Sequence, residues 1–278
     1  MTILVAGGRG QLGRALSRRG GEDIVALGVP ELDLCDPTAI TARLVEVSPS
    51  LVINAAAYTA VDKAETERVQ AFAVNRDGAA NLAHACQSQG IRFLHVSTDY
   101  VFDGTAHEPY REDAATNPQT AYGESKEAGE RLVLKAGGTV VRTSWLFEQH
   151  GPSFVHTMVR LATERPLLRI VADQYGCPTW ADDLADALIV LGKVNTSGIF
   201  HYCNAGPTTW FSFAEEIVAR LRTRRPIACE RILPITTNEY PLPAKRPAYS
   251  VLDTRKIQLL GIVPPSWTIG LARVMSEV

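Results

Sequence analysis

Thr2-Ile3-Leu4-Val5-Ala6-Gly7-Gly8-Arg9-Gly10-Gln11-Leu12-Gly13 is the stretch on which the fold turns. A short apolar run passes directly into G-x-x-G-x-x-G, and an amphipathic segment at 11–19 follows. Glycine in such a turn reaches positive φ and lets backbone N–H groups approach a pyrophosphate. The third glycine lets the following helix pack closely on the strand. That helix would then face a diphosphate with free N–H groups and a partial positive charge. The pattern at Gly7, Gly10 and Gly13 predicts dinucleotide binding. A tight strand–helix turn with no ligand has the same outline, and the spacing departs from the usual G-x-G-x-x-G.

Working outward, the runs 2–6, 24–27, 51–55, 92–96 and 139–142 are short and rich in Val, Ile and Leu. They read as strands buried on both faces. Helical segments lie between them at 11–19, 37–47, 65–89 and 120–135, with Gly78 marking a bend or close packing in the third. This alternation predicts an α/β fold with a doubly wound, Rossmann-like parallel sheet. After residue 145 the pattern changes, and proline and aromatic residues gather in 164–180 and 226–249. Helices still read at 154–163, 182–191 and 211–224. The expected division is a dinucleotide-binding domain at 1–145 and a smaller α/β lobe, mainly substrate-binding, at 146–278. Some later segments are free to return to the main sheet.

Composition narrows the class. The 278 residues are 46% hydrophobic and 21% charged, values of a soluble globular chain rather than a disordered one. A formal net charge of −2 provides no basic field for nucleic acid. No apolar run approaches the roughly 18 residues a membrane helix needs. The five cysteines form no CxxC pair, which fits reduced thiols better than disulfides or a zinc site. With no targeting segment apparent, the expected location is the cytoplasm.

Tyr122-Gly123-Glu124-Ser125-Lys126 is Y-x-x-x-K on a predicted helix. Positions i and i+4 share a face, so the phenol and the ammonium lie side by side. A free phenol, with pKa about 10, is a poor acid–base group near neutrality, and a neighbouring ammonium is expected to lower that value. The pair is then suited to exchanging a proton with a carbonyl oxygen. Taken alone the spacing is common by chance; its companion is the glycine turn.

The glycine turn, Tyr122 with Lys126, and Asn54-Ala55-Ala56 at a strand end resemble the extended short-chain dehydrogenase/reductases. Within them the chain resembles the dTDP-4-dehydrorhamnose reductase family. The stretches that carry this are Ser97-Thr98-Asp99-Tyr100-Val101-Phe102-Asp103-Gly104, Ala60-Val61-Asp62-Lys63-Ala64-Glu65 and Arg142-Thr143-Ser144-Trp145. Gln174-Tyr175-Gly176-Cys177-Pro178-Thr179 and Trp210-Phe211-Ser212-Phe213-Ala214 are similar too, so the likeness spans nearly the whole chain. It implies a catalytic triad of Thr98, Tyr122 and Lys126, with Thr98 where many relatives have Ser. Implied cofactor contacts are Gly7, Arg9, Gly10, Gln11, Leu12, Gly13, Asp33, Leu34, Ala57, Tyr58, Thr59, Asn75, Tyr122 and Lys126. Asp33 and Leu34 would face the adenine, and Asn75 would support the lysine through water. Implied substrate contacts are Thr98, Asp99, Trp145, Gln174, Pro178, Thr179 and Arg246.

The expected reaction is hydride transfer from NADPH or NADH to C4 of dTDP-4-dehydro-β-L-rhamnose, with Tyr122 giving the proton and Thr98 orienting the carbonyl. The partner is then a small dTDP-sugar. A rival is the reduction of a related dTDP-4-keto-6-deoxysugar of dihydrostreptose type in antibiotic biosynthesis. A rival of another class is a non-catalytic nucleotide-binding regulator, like the regulatory subunit of methionine adenosyltransferase. Several residues depart from the family pattern. Ala15 stands where well-known members carry a glutamate that ligates a metal shared across a dimer, so no bridging Mg²⁺ is expected, and the chain is expected to be a monomer or a metal-independent homodimer. Gly151-Pro152-Ser153-Phe154 replaces G-x-N-F, and Tyr58 is often His. No carboxylate follows the second strand directly, though Glu31 is near, and Arg9 lies inside the glycine turn. Both features favour a 2′-phosphate, so NADPH is the preferred cofactor, with NADH still usable.

Overall fold

Strand β1 (Ile3–Ala6) is buried along its whole length, so both of its faces need a covering layer. A computed structural model, which describes residues 1–194 and 196–277, provides two. Helix α1 (Gln11–Gly20) starts directly after the glycine turn. Then follow β2 (Ile24–Leu27), α2 (Pro37–Val47) and β3 (Leu51–Asn54). Asp36 caps α2 by accepting the N–H groups of Thr38 and Ala39, and Pro37 occupies its first turn. The region read as one helix at 65–89 is divided. Short α3 (Val61–Ala64) precedes it, and the region comprises α4 (Arg68–Phe72), a π-helical turn (Ala73–Gly78) and α5 (Ala79–Ser88). Strand β4 (Arg92–Thr98), helix α6 (Ala121–Lys135) and strand β5 (Thr139–Thr143) complete this half.

The second half contributes β6 (Leu146–Phe147), α7 (Phe154–Glu164), β7 (Leu167–Val171), β8 (Tyr175–Gly176) and β9 (Thr179–Trp180). It continues through α8 (Ala181–Leu191), β10 (Gly198–His201), β11 (Thr208–Thr209), α9 (Trp210–Arg222) and β12 (Arg231–Ile235). Short α10 (Arg255–Gln258) and terminal α11 (Trp267–Ser276) close the chain.

The main sheet has six strands in the order β10-β5-β4-β3-β1-β2, and every pairing in it is parallel. Alternate residues sort to its two faces. Ile3, Val5, Leu51 and Ile53 pack with Leu12, Leu16, Leu184 and Leu188 of α1 and α8. Leu4, Val52, Phe93 and Val140 pack with Ile40, Leu44, Leu82 and Val133 of α2, α5 and α6. A boundary at residue 145 therefore cuts through this layer, because β10 pairs with β5 and α8 covers the sheet. The remaining lobe has its own core, centred on Phe147, Trp180, Phe213, Trp267 and Leu271. Strand order reverses between β1 and β3, where ligands of open α/β sheets bind beyond the strands' C-terminal ends. Among the described residues, no helix is long and apolar enough to cross a membrane.

Candidate active site

The glycine turn lies at that crevice. Gly7 takes φ +86°, and a Cβ there would lie 2.6 Å from the Ala56 nitrogen at the end of β3. A Cβ on Gly13 would collide with the Gly7 carbonyl oxygen, so α1 approaches β1 only because the residue is glycine. No side chain caps the N-terminus of α1, and its first turn holds no acidic residue. Its N–H groups and its dipole thus remain available to a diphosphate, and the site fits a dinucleotide. Leu12 is buried in the core, so only its backbone faces this space. Gln11 reaches across to the Pro152 carbonyl at 3.1 Å.

Arg9 lies over Gly28 and donates to Glu31 at 2.7 Å. The nearest carboxylate past β2 therefore does return to the turn, paired with the arginine rather than standing alone. Asp33 accepts the Cys35 N–H at 2.8 Å, and Leu34 is buried against Gly78. Of the loop after β3, Ala57 is half-buried and Thr59 exposed. Asn75, on the π-helical turn, clamps Tyr58 by accepting its N–H at 2.8 Å and donating to its carbonyl at 3.1 Å. The same Asn75 amide donates to the Ser125 hydroxyl of α6 at 2.9 Å.

Helix α6 begins where Thr120 caps it by accepting the Gly123 N–H. It lies against two backbone segments at the closest possible range. A Cβ on Gly123 would strike the Tyr100 carbonyl, and one on Gly129 the Asn75 carbonyl. Tyr122, one turn before Lys126, packs edge-on to Tyr100 at 5.6 Å and turns its hydroxyl to Thr98. Burial pushes the Tyr122 phenol up to about 12, with the Thr98 hydroxyl opposing the shift and Asp99 adding to it. The lowering expected from a neighbouring ammonium does not appear: desolvation dominates, and the group that opposes it is the Thr98 hydroxyl.

Lys126 is only 1% exposed. Its Nζ donates to the Val96 carbonyl at 2.7 Å and meets His95 Nε2 at 3.2 Å. Burial lowers Lys126 to about 8, Glu130 opposing. The residue sequence reasoning missed is His95. Its signal was a polar side chain inside the buried run Phe93-Leu94-His95-Val96.

Thr98 ends β4 and donates to Asp99 at 3.0 Å. Asp99 is 2% exposed, and burial raises its carboxyl to about 6 against the pull of the nearby Ser250 and Thr98 hydroxyls. Its second oxygen has no hydrogen-bond partner among the described residues.

The implied substrate residues separate. Trp145 holds a positive φ of +46° and stacks on Trp210 at 3.5 Å, making an aromatic wall against Gly176. Gln174 is tied to the Thr237 hydroxyl at 3.0 Å. Pro178 is buried, and Thr179 is fully buried and gives its N–H to the Trp145 carbonyl. Thr179 thus holds Trp145 in place and presents no free surface. Arg246 makes a two-point ion pair with Asp62, at 2.8 and 2.7 Å, and caps the Ala244 carbonyl. Ser153 caps α7 and hydrogen-bonds His156 at 2.9 Å. Ala15 is fully buried between α1 and the sheet.

The chain is similar to known proteins over its whole length. The family profile described as RmlD substrate binding domain matches residues 1–278. A dTDP-4-dehydrorhamnose reductase of Burkholderia thailandensis is 44% identical, covering 98% of this chain and 97% of its own. A Streptomyces antibioticus protein, named a probable dTDP-4,6-dihydroxy-2-methyloxan-3-one 4-ketoreductase, is 42% identical, covering 100% and 96%. The crystal structure of dTDP-4-dehydrorhamnose reductase from Bacillus anthracis, in complex with NADP, superposes with a TM-score of 0.94 at 36% identity, covering 100% of both chains.

The buried Asp99 carboxyl gives a testable consequence. Its folded pKa lies above the unfolded value of 3.8, so the folded state loses stability as pH rises from about 4 through 6. Asp99→Asn removes that penalty. The variant should be more stable than wild type at neutral pH, by about 1–3 kcal/mol. Urea denaturation across this range should show the gap opening between pH 4 and 6 and constant above. A variant that is equally stable, or weaker, at neutral pH would contradict the assignment.

Proposed function

The chain belongs to the RmlD substrate binding domain family, and from that premise we propose that it reduces the C4 carbonyl of dTDP-4-dehydro-β-L-rhamnose to give dTDP-L-rhamnose. The observation that carries the reading is Tyr122 turned to Thr98 at the C-terminal end of β4, one helical turn from the buried Lys126. The likeness to the Burkholderia thailandensis and Bacillus anthracis reductases supports the substrate class. A regulator that only binds nucleotide would have no use for a Tyr–Thr–Lys set beside a dinucleotide turn.

A nicotinamide cofactor, when bound, supplies the hydride. The protein's own residues do the rest. The turn from Gly7 to Gly13 and the N–H groups of α1 hold the diphosphate, and Asp33 and Leu34 border the adenine. Tyr58 and Thr59 line the cofactor's path, set by the Asn75 clamp. Thr98, turning its one proton from Asp99, would donate to the carbonyl oxygen and fix its position. Tyr122 gives that oxygen its proton as negative charge develops there. Lys126, one turn along α6 from Tyr122, would hold the nicotinamide ribose by turning Nζ from the Val96 carbonyl. The Trp145–Trp210 stack walls the deoxysugar on the side of the second lobe. Arg246, held by Asp62, stands towards the nucleotide end.

One observation favours a neighbouring substrate as the second reading. The hydroxyl of Ser153, where the family pattern reads asparagine, is engaged by the His156 N–H and ring, and its shorter side chain reaches less far towards a sugar. A protein named for another dTDP-sugar, the Streptomyces antibioticus ketoreductase, is 42% identical, against 44% for the Burkholderia thailandensis reductase. A panel of dTDP-4-keto-6-deoxysugars with NADPH, followed by product identification, distinguishes the readings. Oxidation of NADPH with the rhamnose precursor supports the first. Selective turnover of another keto sugar supports the second, and no oxidation with any of them refutes both.

Tyr122→Phe should reduce turnover by about 10²–10⁴-fold while cofactor affinity, read by fluorescence titration, stays within a few-fold. A variant that keeps half the wild-type rate would remove Tyr122 from the role.

Arg9 is the cation placed for a ribose 2′-phosphate, and its partner Glu31 is the group it must leave. NADPH should be preferred to NADH, and Arg9→Ala should lower kcat/KM for NADPH by about tenfold or more, with NADH nearly unchanged; each 1.4 kcal/mol is tenfold. Equal losses for both cofactors would place Arg9 away from the phosphate.

A further inference from the structure

The run Ala60-Val61-Asp62-Lys63-Ala64-Glu65 carries two carboxylates three residues apart, and neither belongs to the set that meets the carbonyl. Each accepts a backbone N–H from a distant part of the chain. Asp62 takes the Ala244 N–H at 3.1 Å, in addition to its ion pair with Arg246. Glu65 takes the Ala121 N–H at 3.0 Å. Ala121 is the first residue of α6 and directly precedes Tyr122.

A helix leaves its first N–H groups without partners of its own. In α6 the Thr120 hydroxyl satisfies the Gly123 N–H at 3.0 Å, and Glu65 satisfies that of Ala121 from outside the helix. A carboxylate is the favoured partner there, because the N-terminus of a helix is partly positive. The two anchors lie on either side of Tyr122. Packing repeats the pattern. Ala121 is buried with Ala64 and Ala71, and Tyr122 packs against that cluster. Gly123 lies against the Tyr100 carbonyl, where no Cβ fits. Later in the same turn, Arg68 of α4 pairs with Glu124.

Resting on the reductase reading, we propose that Glu65 is a positioning residue: by holding the Ala121 N–H it sets where Tyr122 stands against Thr98 and the carbonyl. It acts through the backbone of α6 and not at the reacting atoms. Its side chain is exposed, where a hydrogen bond competes with water, so it contributes to placement more than to global stability. Placement is what the proton transfer needs, since a displacement of about 1 Å can cost 10²-fold in rate. The Asp62 arm serves another border. Tyr100, Thr120, Arg246 and Pro247 line one small cleft, and α3 spans it from the start of α6 to the Arg246 segment. The two arms therefore predict different kinetic losses.

One measurement needs no substrate. In the cofactor-free protein, amide hydrogen exchange at Ala121 and Tyr122 should quicken about tenfold or more in Glu65→Ala, with exchange along β1 and β3 unchanged. In turnover, Glu65→Ala should lower the single-turnover rate at saturating sugar about tenfold or more. The half-saturating sugar concentration and the Kd for NADPH should stay near their wild-type values. Glu65→Gln keeps an oxygen that accepts the same N–H and should restore most of the rate, which loss of charge alone would not allow. Glu65→Asp, one methylene shorter, should fall between. Asp62→Asn, on the same short helix, should instead raise the half-saturating sugar concentration and nearly keep the rate. An unchanged rate in Glu65→Ala, or a loss that Glu65→Gln does not restore, overturns the proposal. So does an equal loss of rate in Asp62→Asn, which would mark a general disturbance of α3. If Glu65→Ala does not fold, Glu65→Asp against Glu65→Gln decides by the same comparison. Hydrogen exchange reads the anchor whether or not the wild type reduces any dTDP-sugar, so failure of the anchor and failure of the reductase reading are told apart.

Discussion

Helix α6 has to lie nearer to its neighbours than any side chain allows, and the site depends on that approach. Gly123 meets the Tyr100 carbonyl and Gly129 meets the Asn75 carbonyl, each without room for a methyl group. The two contacts bracket Tyr122 and Lys126 on the helix. They bring the phenol to the end of β4 and drive the lysine under the sheet edge to Val96. Backbone, rather than side-chain packing, sets the distance, so the geometry has little freedom to drift. The π-helical turn serves the same end, because it swings Asn75 into reach of both Tyr58 and Ser125.

A site assembled this way carries burdens that folding alone would not select. Lys126, His95 and Asp99 are nearly inaccessible to water, and each has its charged form disfavoured by burial. The Asp99 carboxyl even retains an oxygen with no partner among the described residues. Such groups cluster where chemistry needs a perturbed proton affinity. The Glu130–Arg142 pair, by contrast, is fully matched and reads as scaffold beneath them.

Much of this was legible in the sequence, for local reasons. A strand feeding a glycine turn and helix is written in consecutive residues, and so is a tyrosine four before a lysine. The helix read at 65–89 missed the π-helical turn, although the close packing read at Gly78, its last residue, is present against Leu34. The return of β10 to the main sheet depends on pairing with β5, residues far away in sequence. The same distance hid the ion pair between Asp62 and Arg246. His95 was passed over because a histidine in a strand has no motif; only the fold sets it between Asn54 and Lys126. The lowering of the Tyr122 phenol expected from Lys126 rested on spacing alone, whereas burial raises that phenol in the cofactor-free site.

The central claim is that Thr98, Tyr122 and Lys126 converge on one carbonyl between the glycine turn and the Trp145 wall. A crystal structure of the chain with NADP⁺ and dTDP-L-rhamnose tests it most directly. The account predicts the sugar's C4 oxygen within hydrogen-bond distance of both the Tyr122 and Thr98 hydroxyls, with Lys126 Nζ on the nicotinamide ribose and the deoxysugar ring against Trp145. A sugar seated elsewhere, or its C4 oxygen facing away from Tyr122 with the nicotinamide properly bound, would contradict it.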